Sequence, residues 1–124
     1  MSRLKINEGK LGEDIATEYL RKLGFKIIER NFRLRNGEVD IIAIEEKTKT
    51  LVFVEVKTRT SEKFGTPLEA ITFWKLRSLT LVAQYYKMTH QNLPDLLRID
   101  AISVKISGNE EAPIVEHIRN ISSF

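Results

Sequence analysis

The sequence predicts a single α+β domain in which helices pack on a mixed β-sheet. Three observations favour this fold class: an N-terminal helical pattern of apolar residues, several apolar runs of strand length, and a second helical pattern between those runs. The length of 124 residues suits one domain, residues 1–124, with one core. The predicted order is α-β-β-β-α-β-β, with helices at 9–23 and 66–88 and strands at 25–32, 39–44, 51–58, 97–106 and 114–118.

Turn and stop signals set the boundaries of the first four elements. Apolar residues recur at helical spacing up to Leu23, and Gly24 then ends the first helix. Asn36 and Gly37 both tolerate positive φ, so they predict a tight hairpin between the first two strands. A polar turn at 45–49 leads into the third strand.

The second half of the chain begins with a predicted helix. Thr66 and Glu69 flank Pro67 in the pattern of a capping box, which places the helix start there and its end near Met88. A loop at 90–95 precedes the fourth strand, and a turn at 107–109 leads to the last one. Four aromatic residues are most simply core residues, with stacking on nucleic-acid bases as the alternative: Phe53, Trp74, Tyr85 and Tyr86.

Composition excludes several classes of protein. Cysteine is absent, which excludes a disulfide framework, a thiolate metal site and a cysteine nucleophile. With 42% hydrophobic and 30% charged residues, the chain is too apolar to be disordered and too polar to lie in a membrane. Because no apolar run approaches ~20 residues and the first ten residues lack a signal-peptide core, we expect a cytoplasmic protein.

Positive charge is concentrated near the N-terminus. Residues 1–36 carry nine Lys or Arg and five acids, which gives +4, although the net charge of the whole chain is only +3. A basic segment of this kind fits a polyanion such as nucleic acid. The simpler interpretation at this net charge is a solvated surface.

Two acidic residues stand inside strands that otherwise read as buried. Asp40 and Glu55 occupy positions where Val or Ile would pack better, and an ionised carboxylate is costly in apolar surroundings unless it is paired or bound to a metal. Alternation along the strand puts Glu55 and Lys57 on one face, and a suitable hairpin register adds Asp40. Carboxylates without His or Cys favour Mg²⁺ or Mn²⁺. The alternative is a plain ion pair of Lys57 with Glu55 or Asp40.

These residues also carry a resemblance to a known family. The chain resembles the YraN-like family of small bacterial proteins, which is similar to PD-(D/E)XK nucleases near the archaeal Holliday-junction resolvases. The segments that carry the resemblance are Gly12-Glu13, Ala16, Arg30-Asn31-Phe32-Arg33, Gly37-Glu38-Val39-Asp40, Val52-Phe53-Val54-Glu55-Val56-Lys57-Thr58-Arg59, Phe64-Gly65-Thr66-Pro67-Leu68-Glu69-Ala70, Lys75 and Arg98-Ile99-Asp100. One departure from the wider pattern is Val39, which stands where proline precedes the motif aspartate.

The resemblance implies a restriction-endonuclease-like fold and a metal-dependent endonuclease acting on DNA, with branched or structured DNA as one candidate substrate. It makes Asp40 and Glu55 metal ligands for Mg²⁺ or Mn²⁺, Lys57 the catalytic lysine, and Glu13 a further carboxylate of the site. Related resolvases are dimers, so a homodimer is also implied, although no residue pattern supports it independently.

Basic residues near these positions are candidates for binding the nucleic-acid backbone. Arg30, Arg33 and Arg35 flank the predicted hairpin, Arg59 ends the third strand, and Lys75 lies on the second helix. A solubilising role is the more common explanation for arginines around a turn, and Arg59 fits a solvated strand end equally well. Two other functions therefore stay open: a non-catalytic nucleic-acid-binding protein on a nuclease fold, and an interaction protein with a structural ion-pair cluster.

Overall fold

The computed structural model describes residues 2–60, 71–107 and 111–124, with side chains from residue 8 onward. Its elements confirm the predicted order and the α+β class. They are α1 (Ser2–Lys22), β1 (Phe25–Leu34), β2 (Gly37–Glu45), β3 (Thr50–Arg59), α2 (Phe73–Thr89), β4 (Leu96–Lys105) and β5 (Ile114–Ile118).

The five strands form one mixed sheet in the order β1-β2-β3-β4-β5. All neighbours are antiparallel except β3 and β4, which run parallel with Val54 opposite Asp100. Parallel neighbours require a crossover connection. The connection between these two strands contains α2.

Each face of the sheet is covered by one helix. On one face, Ala16 and Leu20 of α1 pack with Val52 and Val54 of β3. On the other face, α2 contributes Leu79, Val82, Ala83 and Tyr86 to a cluster that includes Phe53. Because both faces of β2 and β3 are covered, these strands are nearly continuous in apolar residues.

The start of α2 differs from the prediction. The helix begins at Phe73, and its N-cap is Thr72, whose hydroxyl accepts a hydrogen bond from Lys75 N at 3.1 Å. The predicted capping box at Thr66–Glu69 lies outside the described residues, as does most of the predicted turn at 107–109. Since Ile71 and Thr72 are not helical, the predicted uninterrupted helix from 66 is wrong.

The hairpin between β1 and β2 is present, but the predicted reason for it is wrong. Leu34 pairs with Gly37, so Arg35 and Asn36 form the turn and Gly37 already belongs to β2. Among the described residues, positive φ values occur at Gly24, Asn31, Lys49, Asn92 and Asn120, and neither Asn36 nor Gly37 is one of them. Gly37 is required for another reason, because a Cβ there would overlap the Ser78 hydroxyl of α2.

Two of the four aromatic residues expected in the core lie on the surface. Phe53 and Tyr86 are buried, whereas Trp74 is 73% exposed and Tyr85 is 45% exposed. The reason is that α2 packs through one narrow face only, and Trp74 and Tyr85 lie outside it. Neither described helix has the length and apolar character needed to cross a bilayer.

Candidate functional site

Asp40 lies where β2 and β3 stop pairing regularly. The register between these strands runs to the pair Ile41 and Val54. At the next position, the Asp40 carboxylate accepts a hydrogen bond from Val56 N at 2.8 Å. The side chain therefore takes the place of a backbone partner and fixes the local separation of the two strands.

Glu55 meets Asp40 at this point. Its side chain is 5% exposed, and a side-chain hydrogen bond joins it to Asp40. Burial, followed by the neighbouring Asp40 carboxylate, raises the pKa of Glu55 to about 7. The structure thus brings together the two acids that the sequence singled out, and it holds them in a poorly solvated place.

Two ammonium groups flank the acidic pair. Lys57 Nζ lies 3.5 Å from Glu55 Oε2, in agreement with the expected alternation along β3. Lys75 Nζ lies 3.6 Å from the same oxygen and comes from the first turn of α2. The sequence predicts Lys75 only as a backbone-binding residue, whereas the structure places it directly beside Glu55.

Glu13 reaches this region from α1. Its Oε1 accepts hydrogen bonds from Arg30 Nε at 3.1 Å and from Asn31 Nδ2 at 2.9 Å. Glu13 and Asp40 line the same cavity of about 390 Å³. Within the described part of the chain, no three acidic or histidine side chains converge as a metal-binding group, so Glu13 does not join the pair into a cluster of three.

Asn31 is a site residue that sequence reasoning did not single out. It adopts φ of 55° inside β1, a left-handed conformation that asparagine tolerates better than most residues. This conformation accompanies the hydrogen bond from its amide to Glu13. The available signal was an asparagine within an otherwise strand-like run, since asparagine is depleted in strands.

The predicted basic residues have different environments. Arg30 is bound to Glu13 and to Asp14, the latter at 2.7 Å, so it organises this wall of the cavity. The Arg33 side chain is 76% exposed and pairs with Glu38 at 3.1 Å, while Arg35 is exposed at the hairpin turn. Arg59 is the last residue of β3 and accepts a backbone hydrogen bond from Ile106 N at 2.8 Å.

Neighbouring cavities form a polar groove across this region. Arg33 lines three of them, with volumes of about 560, 390 and 230 Å³. Lys10 lies on the first and Lys75 on the last, and Asp40 lines the middle one. Each of the three cavities is therefore lined by at least one cationic side chain.

A second charged cluster lies apart from this groove. Arg98 bridges Asp100 and Glu45 at 2.8 and 2.7 Å, and His117 Nε2 lies 2.8 Å from Asp100. Arg119 also contacts Glu45. These partners satisfy one another within the fold, which marks the cluster as structural.

Comparison with known proteins gives a consistent family assignment. A profile of the Uncharacterised protein family UPF0102 matches residues 12–104, well over half of the chain. A UPF0102 protein of Renibacterium salmoninarum is 42% identical over 119 residues, covering 96% of this chain and 98% of that protein. UPF0102 proteins of Caldicellulosiruptor saccharolyticus and Geobacter metallireducens are 46% and 45% identical over 112 residues, each covering 90% of this chain and 93% and 88% of the relative, respectively. The chain therefore belongs to the Uncharacterised protein family UPF0102.

Proposed function

We propose that this protein is a metal-dependent endonuclease that hydrolyses DNA phosphodiester bonds, with branched or otherwise structured DNA as its substrate. The observation that carries the proposal is the contact between Asp40 and Glu55, with Lys57 and Lys75 within 3.6 Å of Glu55. The resemblance to PD-(D/E)XK nucleases, drawn from the residue pattern, supports the same function.

The side chains at this site fit Mg²⁺ or Mn²⁺. Both cations favour carboxylate oxygens, and Asp40 and Glu55 present such oxygens in mutual contact. A bound divalent cation would offset the repulsion that helps to raise the pKa of Glu55. Glu13 lines the same cavity as Asp40 but does not converge with the acidic pair, so its part in holding a cation would run through bound water.

The residues around the pair can divide the work of hydrolysis. When bound, the divalent cation supplies a Lewis acid that polarises the phosphoryl group and lowers the pKa of a water molecule. Lys57 orients the attacking water or stabilises charge on the phosphate, and Lys75 adds a second cationic donor. Arg33, Arg35 and Arg59 hold the backbone, while Arg30 acts indirectly by fixing Glu13.

A cleavage assay tests the proposal. Wild-type protein is incubated with duplex, single-stranded, flapped and four-way DNA in the presence of Mg²⁺, Mn²⁺ or a chelator. We expect metal-dependent cutting, with Asp40→Ala and Lys57→Ala each reducing the rate by about 100-fold or more, the range for loss of a positioned catalytic group. Asp95→Ala and Lys26→Ala are matched controls, because Asp95 is 99% exposed and Lys26 is exposed at the start of β1.

Two results contradict this function. The first is that the wild-type protein cuts none of the substrates with either metal. The second is that the wild type and both site variants cut equally well, since the chemistry would then lie elsewhere.

The ion pairs of Glu55 favour a second candidate function. If Lys57 and Lys75 serve only to neutralise Glu55, the cluster is structural, and the protein is a non-catalytic nucleic-acid-binding protein or an interaction protein. DNA binding that weakens with salt but does not depend on divalent metal, together with no cleavage, distinguishes this candidate.

A further inference from the structure

Two adjacent aromatic side chains are exposed at the start of α2. Phe73 is 69% exposed and Trp74 is 73% exposed, and their rings contact each other edge to face with centroids 5.3 Å apart. Exposed aromatic side chains give up the free energy of burial that such residues usually contribute. A pair of them at one place therefore suggests a surface that is covered when a ligand binds.

This pair lies next to the candidate active site. The residue after Trp74 is Lys75, whose ammonium group is 3.6 Å from Glu55. Consecutive residues of a helix point about 100° apart around its axis, so the rings lie on other faces of the first turn of α2 than Lys75 does. A nucleic-acid strand held at Glu55 and Lys75 would reach Phe73 and Trp74 by running around the start of the helix.

The charge of the helix indicates which kind of ligand fits. Over its described residues, 73–89, α2 carries Lys75, Arg77 and Lys87 and no acidic residue. Arg77 also lines a cavity of about 310 Å³ together with Phe73, Leu76 and Leu81. Aromatic rings combined with cations bind single-stranded nucleic acid, because the rings stack on bases while the cations hold the backbone.

We propose that Phe73 and Trp74 form a stacking platform for an unpaired base near the cleavage point. This inference rests on the proposed nuclease function and narrows its substrate to nucleic acid that has unpaired nucleotides at the cleavage point, such as a flap. A base inside a continuous duplex is stacked on its neighbours and offers no free face to the platform. Arg77 binds the backbone phosphate next to the stacked base.

The protein carries its own reporter for this contact. Trp74 is the only tryptophan in the chain, so tryptophan fluorescence reports on the platform alone. The Lys57→Ala variant is used so that cleavage does not alter the DNA during the experiment. It is titrated with a single-stranded oligonucleotide, a flapped duplex and a blunt duplex of matched length. We expect saturable quenching with the first two ligands and little change with the blunt duplex.

Affinity measurements on variants complete the test. With a fluorescently labelled flapped duplex, we expect Trp74→Ala to weaken binding about tenfold, in line with the loss of one stacked base, and Trp74→Tyr to restore most of the affinity. Binding to the blunt duplex changes little. Met88→Ala is the matched control, because Met88 is 76% exposed on the same helix but lies at its other end.

Three outcomes overturn the platform. In the first, the blunt duplex quenches the fluorescence as strongly as the flapped duplex does. In the second, Trp74→Ala binds the flapped duplex as tightly as the protein with Trp74 does. In the third, the fluorescence changes with protein concentration in the absence of DNA. The last result assigns the aromatic pair to contact with a second copy of the chain.

The two proposals fail separately. If the protein shows metal-dependent cleavage but no quenching, the stacking platform is contradicted and the nuclease function is supported. If flapped DNA quenches the fluorescence but the wild-type protein cleaves nothing, the nuclease function is contradicted and the aromatic pair is a nucleic-acid-binding platform.

Discussion

The Glu55 carboxyl group is almost fully buried, in contact with one carboxylate and within 3.6 Å of two ammonium groups. Its pKa is raised to about 7, chiefly by burial and then by Asp40, whereas the ordinary value is 4.5. The folded protein therefore binds this proton more tightly than the unfolded chain. The contribution of Glu55 to stability is full below pH 4.5 and is lost as the pH rises through about 7.

Replacement of Glu55 by Gln separates stability from metal binding. Without metal and above pH 7, we expect Glu55→Gln to melt at the same temperature as wild type or at a higher one. Near pH 4 we expect the two proteins to melt at the same temperature. We expect millimolar Mn²⁺ to stabilise only the wild type, by about 2.7 kcal/mol if its concentration is 100 times the dissociation constant. Thermal melts across pH, with and without Mn²⁺, measure both effects.

The control for this experiment is Glu46→Gln, which changes an exposed acid in the turn after β2. Glu46→Gln is expected to behave as wild type in every condition. An equal Mn²⁺ shift in Glu55→Gln and wild type means that the cation does not bind at Glu55.

Part of this site follows from local rules. Glu55 and Lys57 are two residues apart on a strand, and Asp40 lies across a hairpin, so alternation and register predict that they approach one another. The contact of Lys75 with Glu55 depends on how α2 packs on the sheet. The left-handed backbone of Asn31 depends on the local conformation of β1. Neither leaves a periodic signal in the sequence.

Close contact between α2 and the β1–β2 hairpin depends on a residue without a side chain. A Cβ at Gly37 would overlap Ser78 Oγ, and Ser78 Oγ itself donates a hydrogen bond to Asn36 O at 3.1 Å. This hydrogen bond joins the helix to the hairpin turn. The Asn36-Gly37 pair predicts the turn, but no pattern in the sequence shows that the glycine makes room for Ser78, 41 residues further on.

Gly37→Ala is expected to destabilise the protein by about 1–3 kcal/mol, the usual effect of overpacking a close contact. Ser78→Ala in the same chain removes the overlapping oxygen and recovers part of the loss. Urea unfolding of wild type, both single variants and the double variant gives the coupling free energy.

Gly9→Ala serves as the control, because a Cβ at Gly9 meets nothing within 4 Å and alanine favours the helix by about 0.5–1 kcal/mol. If Gly37→Ala is as stable as wild type, or if the changes in unfolding free energy of the two single variants add up in the double variant, the helix tolerates the extra methyl group.

The charged cluster around Arg98 joins distant parts of the chain. It links Glu45 at the end of β2 with Asp100 of β4, His117 of β5 and Arg119 beyond it. Burial raises the pKa of Glu45, but hydrogen bonds from Arg119, Arg98 and Thr48 outweigh this effect and lower it to about 2. The charged form of Glu45 therefore stabilises the folded sheet.

Acid is expected to release this stabilisation. Relative to the ordinary value of 4.5, the lowered pKa corresponds to about 3 kcal/mol of stability, present above pH 4.5 and lost as the pH falls to about 2. Glu45→Gln should lose a comparable amount at pH 7 and show a flatter profile below pH 4.5. Urea unfolding between pH 2 and 7 measures both, with Glu46→Gln as the exposed control.

Two results would contradict this role of Glu45: a wild-type stability that stays level from pH 4.5 to 2, or an unchanged pH dependence of stability in Glu45→Gln.

The fold class can be predicted from the sequence because apolar periodicity marks each element. The cluster was not fully readable, because Glu45 and Arg98 are brought together only by the sheet.

The parallel pairing of β3 with β4 has a consequence for the order of folding. Strands β1, β2 and β3 form an antiparallel meander of neighbours in sequence, whereas β3 reaches β4 only across the connection that contains α2. Contacts close in sequence lose less chain entropy on closure and form sooner. We therefore expect Asp40 and Glu55 to meet early in folding, and the ammonium group of Lys75 to arrive later with its helix.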